Sequence, residues 1–290
     1  MSEVSSGSVR AYEVDPATGA ATFLNAASTL GTGPVTVSVD PFAQFVFVAH
    51  YGSGNVAVLP LYFDGSLLAA TDLENDVDAC APACPVGPTH AANAPPGSFA
   101  ISGHDAPHAH TAQMDPAGTY VIGQDLGLDR TIVWQIDRAS GTLTPHQTVP
   151  SSPGAGPRHL AFHPNGEWVY SLNEEASTVA FMLYDRASGT LTPQQEISTL
   201  PPGFVGTSFA SEIVVARMER SCTPRTACER GLSASHRDRS ERKVFVRVQS
   251  AKRQRGSLSR EGQRAAGADE SPHPRRQSVG DRVRPAAVAR

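Results

Sequence analysis

Between Gly154 and Pro193, short runs of aliphatic, aromatic and β-branched residues alternate with polar turn signals. The runs are Leu160–Phe162, Trp168–Leu172 and Thr178–Tyr184. P-N-G and E-A-S separate them, and D-R-A-S-G-T-L leads into a fourth. Runs this short, punctuated by Gly and Pro at this spacing, predict an antiparallel meander. The first opens with Arg158 and His159, and the second leads onto Asn173 and Glu174. Ionisable groups thus stand where strands stop, the usual place for chemistry on a β scaffold.

The pattern occurs twice more, in Gly31–Leu67 and Pro107–Pro145. Each copy runs from an inner strand to D-P or H-P, then a turn, an aromatic and β-branched strand, a polar turn and a third strand. Asp115 and His163 stand 48 residues apart. Asp40 and Asp115 stand 75 apart, because Asp72–Asp105 inserts a loop rich in Pro, Ala and acids. Four-stranded repeats of about 40–50 residues are the signature of β-propeller blades. The expected fold is therefore all-β, a propeller of four-stranded antiparallel blades. Ser8–Val14 reads as a third strand with D-P-A-T-G-A-A turning to a fourth. Ser211–Ala216 reads as the inner strand of one more blade, giving about three to four blades within 1–216.

Charge divides the chain. Up to Ala216 the basic residues are Arg10, Arg130, Arg138, Arg158 and Arg186, against 20 Asp and Glu, a net −15. From Arg217 to Arg290, 19 Lys and Arg face 8 acids, a net +11. An acidic body argues against nucleic acid as partner. The tail, 217–290, has few apolar residues and one aromatic, Phe245. One reading is a disordered basic tail; the other is translation out of frame. Codons built from the last base of one residue and the first two of the next permit P-D-G-T-F-V-Y-A-S-N-R after Ala216. That is the turn and second strand that the repeat demands.

Cys80 and Cys84 share a loop, while Cys222 and Cys228 lie in the tail. This usage is too sparse for a disulfide framework and lacks zinc-site spacing. A Cys80–Cys84 loop disulfide in an oxidising compartment stays open. No apolar stretch approaches the roughly 20 residues of a membrane span and no signal peptide is evident. A cytoplasmic protein without membrane contact is the expectation.

The set P-H-A-H, Q-D-L-G-L-D-R, G-A-G-P-R-H-L-A-F-H-P-N-G, L-N-E and L-P-P-G-F resembles the lactonase-type seven-bladed propellers. That family includes 6-phosphogluconolactonases and carboxy-muconate cyclases. The resemblance covers Ser8–Ala216. It implies hydrolysis of a sugar lactone by a monomeric parent, with a muconate-type cycloisomerase or a non-catalytic binding module as alternatives. It further implies that blades are missing at both ends, so that the chain as given is aggregation-prone and weakly active at best.

Repeat alignment ranks the site residues. Val35, His110, Arg158 and Ser211 share one position of successive blades, and Thr111, His159 and Glu212 the next. Equivalent positions ring one channel and should converge at one mouth. Lactone opening needs an activated water, a partner for the oxyanion and a proton for the leaving alkoxide. Glu174 is the expected base, and Arg158 the anchor of the oxyanion or of a substrate anion. His108 or His110 is the expected proton shuttle. The resemblance points to the same His, Arg and Glu. Arg158, His159 and Glu212 are the expected substrate-binding groups.

Plainer roles stand beside these. Arg158 and Glu174 could be an ion pair between strands, His159 could bond backbone, and His163 could cap a turn. Asp125 and Asp129 read as turn residues. His104, His108 and His110 with an acid could hold a metal, but their spacing is not specific. No metal is therefore expected, and no redox cofactor, since there is no Gly-rich phosphate loop.

Overall fold

The structure, a computed structural model, describes residues 2–3, 7–80, 84–88, 91, 100, 103–216 and 245–251. Among them every regular element is a strand, and no helix is long and apolar enough to cross a membrane. β1 (Ser2–Glu3), β2 (Ser8–Val14) and β3 (Ala21–Ser28) form a three-stranded sheet. Three four-stranded sheets follow. The first holds β4 (Pro34–Val39), β5 (Phe45–His50), β6 (Asn55–Pro60) and β7 (Asp72–Asn75). The second holds β8 (Ala109–Met114), β9 (Tyr120–Asp125), β10 (Arg130–Asp137) and β11 (Thr142–Pro150). The third holds β12 (Pro157–Phe162), β13 (Trp168–Asn173), β14 (Thr178–Asp185) and β15 (Thr190–Ser198). In each, neighbours in sequence pair antiparallel, as blades of a propeller do.

The side-chain period of two explains why the second strand of each blade is apolar throughout. Phe45, Phe47 and Ala49 of β5 pack toward β8–β11, around the fully buried Trp134. Val46 and Val48 face the other way, toward Val9 of the first sheet. β9 divides likewise, with Val121 facing back and Tyr120 and Ile122 facing forward onto Leu160, Val169 and Met182. Each second strand thus serves two interfaces. Burying one such side chain contributes about 1.5–3 kcal/mol.

Turns close the repeat. At the head of the second strand, Asp115 accepts from the N–H groups of Thr119 and Tyr120. His163 stands in the equivalent place and caps its turn, Nδ1 accepting from Asn165 N. At the D-R-A-S-G turns, Gly141 and Gly189 adopt φ +73° and +70°. A Cβ on Gly189 would come within 2.4 Å of the Tyr120 ring, so this turn needs glycine for both backbone and space.

Every inner strand carries a β-bulge. The register shifts fall between Pro34 and Thr36, Ala109 and Thr111, Pro157 and His159, and Ala210 and Glu212. The unpaired residues are Val35, His110, Arg158 and Ser211, the position that the repeat alignment singled out. A bulge re-aims its side chain away from the regular pleat.

Two boundaries differ from the sequence reading. Asp72–Asn75 belongs to the blade as β7, so the insertion begins after it. β16 (Phe209–Ala216) pairs antiparallel with β17 (Phe245–Ala251), placing a strand of the tail where the repeat calls for the second strand. The rest of 217–290, with Cys222, Cys228 and the candidate frame change, lies outside the described residues. Within the insertion, Cys80 and Cys84 form a disulfide, the alternative that the sequence left open.

Candidate functional site

The inner strands β8, β12 and β16 begin, and β9 and β13 end, at one mouth. Arg158, from the β12 bulge, donates from Nη1 to Glu174 Oε2 at 2.5 Å and from Nε to Ser211 O at 3.0 Å. Glu174 follows β13; its N–H donates to Gly156 O and its carbonyl accepts from Ala210 N, fixing it between blade and inner strand. Burial raises its carboxyl above the ordinary glutamate range, against the opposing pull of Arg158. Oε2 is the carboxylate oxygen that Arg158 engages.

His110, the bulge residue of β8, brings Nε2 to 4.0 Å from Glu174 Oε2. Its ring meets Tyr51 and His159 edge-on, at 5.9 and 5.1 Å between centroids. Burial first, then the nearby Arg158, push His110 down to about 3, so the ring is neutral. Its buried Nδ1 has no hydrogen-bond partner among the described residues. His159 approaches Glu212 Oε1 at 3.2 Å through Nδ1, and burial lowers its pKa as well. His108 stacks on Tyr51 at 4.0 Å, and its Nδ1 donates to Tyr51 O. Its Nε2 lies 2.8 Å from the exposed carboxylate of Asp105. The structure therefore brings Arg158, Glu174, His110, His159 and Glu212 together, with His108 one ring away.

A second layer lies beneath. His104 is enclosed, with Nε2 3.0 Å from Asp129 Oδ1 and Nδ1 3.1 Å from Glu175 Oε2. Burial alone would lower its pKa, but the two carboxylates prevail and raise it to about 9. Asp129, at φ +54°, also accepts from Gly154 N and Gly156 N. Glu175 Oε1 accepts from Gly103 N. One buried cation thus ties the insertion to two blades, through Asp129 of one and Glu175, the residue after Glu174, of the other. Asp125 accepts from His108 N and Leu128 N. Asp76 is fully buried beside it, and burial followed by the Asp125 charge pushes its carboxyl well up. Among the described residues no group of side chains is arranged to hold a metal ion.

Tyr51, His104 and Glu175 were not singled out as mouth residues by the sequence. For Tyr51 a signal existed. It follows β5 as Glu174 follows β13, and the repeat places both on the rim. Burial, then Glu174 and Glu175, push its phenol up to about 12, leaving it a hydrogen-bond donor. A cavity of about 540 Å³ lies elsewhere, on the apolar face of β13–β15 lined by Trp168, Tyr170, Phe181 and Ile197.

The family model described as "Lactonase, 7-bladed beta-propeller" matches residues 1–231. The chain belongs to this family. Within the lactonase family, 6-phosphogluconolactonase of Bacillus subtilis (strain 168) is 34% identical over 211 residues, covering 73% of this chain and 54% of that protein. The solved structure of a Pseudomonas aeruginosa periplasmic gluconolactonase is similar with a TM-score of 0.59 and 27% identity, covering 72% of this chain and 54% of that one. A Lactobacillus plantarum protein of known structure is similar at TM-score 0.58 and 26% identity, covering 71% and 54%. This lactonase-family chain therefore spans about half the length of the relatives it matches.

Proposed function

We propose that the mouth formed by Arg158, Glu174 and His110 hydrolyses a sugar lactone. The observation that carries this reading is the Arg158–Glu174 pair at 2.5 Å, held at a strand bulge beside a neutral histidine. Family membership supports a small cyclic ester as the substrate class.

Glu174 accepts the proton of a water through Oε1, its raised pKa bringing its basicity toward the operating pH. The water oxygen bonds to the lactone carbonyl carbon, and the charge passes to the carbonyl oxygen. Arg158 faces that oxygen, a charge-assisted contact that strengthens as the oxyanion forms. When the ring C–O bond breaks, Glu174 returns the proton to the leaving alkoxide, completing the hydroxy acid. His110, kept neutral, flanks Glu174 on the side of Oε2, 4.0 Å away. His108 links the mouth to solvent through Asp105 and carries the proton released by the acid product. His159 and Glu212 contact substrate hydroxyls.

The test is lactone hydrolysis by the full chain, followed by proton release against the spontaneous rate. A steep fall of turnover in both Arg158→Ala and Glu174→Gln supports the reading; a wild-type rate equal to the spontaneous one overturns it.

A further inference from the structure

Arg158 and Glu174 lie on two chain segments, and the same few groups hold both segments from behind. Arg158 follows Gly154, Ala155, Gly156 and Pro157, while Glu174 is followed by Glu175. The Asp129 carboxylate accepts from Gly154 N at 2.6 Å and from Gly156 N at 2.9 Å. The Gly156 carbonyl in turn accepts from Glu174 N at 2.7 Å, and the Ala155 carbonyl from the N–H groups of Glu175 and Ala176. Asp129 thus reaches both members of the pair through one residue, Gly156.

His104 closes this network from the insertion. Its Nε2 lies 3.0 Å from Asp129 Oδ1 and its Nδ1 3.1 Å from Glu175 Oε2. Ionised carboxylates only accept, so the ring donates from both nitrogens and carries a charge. The side chains of His104, Asp129 and Glu175 are 0%, 3% and 5% exposed, so water does not compete for these bonds. Gly103 N donates to Glu175 Oε1, and Gly87 N to Gly127 O in the turn that holds Asp129. The insertion therefore grips the β9–β10 turn and the residue after Glu174 at once.

The Arg158–Glu174 pair does not fix its own geometry. Its side chains remain 25% and 18% exposed, and ion pairs that water reaches contribute little. Support has to come from the segments beneath, and a misplacement of about 1 Å can cost about a hundredfold in rate.

We infer that His104 and Asp129 are positioning residues, a buried brace by which the insertion sets Arg158 against Glu174. They act through Gly156 and Glu175. The kinetic consequence rests on the lactonase reading above; the brace itself does not.

The experiment compares the full chain with His104→Gln, using Gly189→Ala as a variant destabilised at another contact. Glutamine offers an amide donor on one side only, so one of the two carboxylates loses its partner. Amide hydrogen exchange is followed at Gly156 and Glu174, with β5 and β6 reporting global opening. In His104→Gln, exchange at Gly156 and Glu174 should quicken about tenfold or more beyond any change in β5 and β6. On a lactone, His104→Gln should lower kcat about 10–100-fold and leave KM within about threefold, whereas Gly189→Ala should keep its kcat. Asp129→Asn, which turns an amide donor toward the Gly154 and Gly156 N–H groups, should follow His104→Gln. Exchange that merely tracks β5 and β6, or an unchanged kcat in His104→Gln, overturns the inference and leaves the lactonase reading standing. Local quickening in a chain whose wild type turns over no lactone supports the brace and overturns the lactonase reading.

Discussion

Arg158 Nη1 and Glu174 Oε2, 2.5 Å apart, join the bulged residue of one strand to the residue just beyond its neighbour. Geometry of this kind serves structure and chemistry alike, and kinetics separates the two. Glu174→Gln keeps the shape and removes the base, so kcat should fall by about 10²–10⁴ with KM little changed. Arg158→Ala should lower kcat and raise KM together. Variants that fold and retain the wild-type kcat/KM would make the pair a strand tie only.

The pH profile follows from Glu174. Its carboxyl is raised by burial and held back by Arg158. Activity needs it deprotonated, so kcat/KM should rise with pH through a limb above the ordinary glutamate range. Removing Arg158 withdraws the charge that favours the carboxylate, so that limb should move to higher pH. A limb that stays in place in Arg158→Lys and shifts only in Arg158→Ala would identify the charge as its cause.

His104 makes a stability prediction with the opposite dependence. Its pKa in the fold, about 9, lies above the ordinary histidine value of 6.5. The folded chain therefore holds a proton that the unfolded chain loses between these values. The stabilisation is complete below about pH 6.5 and fades as pH rises through 9, a span of up to about 3 kcal/mol. Denaturant midpoints of wild type should fall across this window, and those of His104→Gln should lose that slope. Parallel curves would show that the enclosed ring carries no charge.

Gly189→Ala tests the contact between blades. A side chain at φ +70° is strained, and the Tyr120 ring occupies the space. A loss of about 1–3 kcal/mol is expected, read as a lowered thermal midpoint. Gly19→Ala, where nothing lies within 4 Å, should cost only the backbone strain.

The blades were legible because their signals are local. Asp115, His163 and Gly189 mark turns, and the apolar runs at Phe45–His50 and Tyr120–Asp125 mark strands buried on both faces. The ring of His110, Arg158 and Ser211 was legible through the repeat, which converts sequence register into position around the mouth. His104 was not. Its partners Asp129 and Glu175 come from turns 25 and 71 residues away, brought together by an insertion that has no counterpart in the other blades. Asp72–Asn75 was assigned to that insertion because a short acidic strand, D-L-E-N, lacks the apolar alternation that marks its equivalents. The Cys80–Cys84 pair lies in the same loop, where proximity in sequence allows a bond without requiring one.

The recurrent bulge has a consequence for how such a mouth can change. Val35, His110, Arg158 and Ser211 occupy equivalent points yet share no chemistry, from aliphatic to cationic. Each is skipped by the pairing of its strand, so its identity is uncoupled from the ladder that holds the blade together. The scaffold offers one interchangeable socket per blade. A new specificity can be assembled there one residue at a time, while the sheets beneath keep their register.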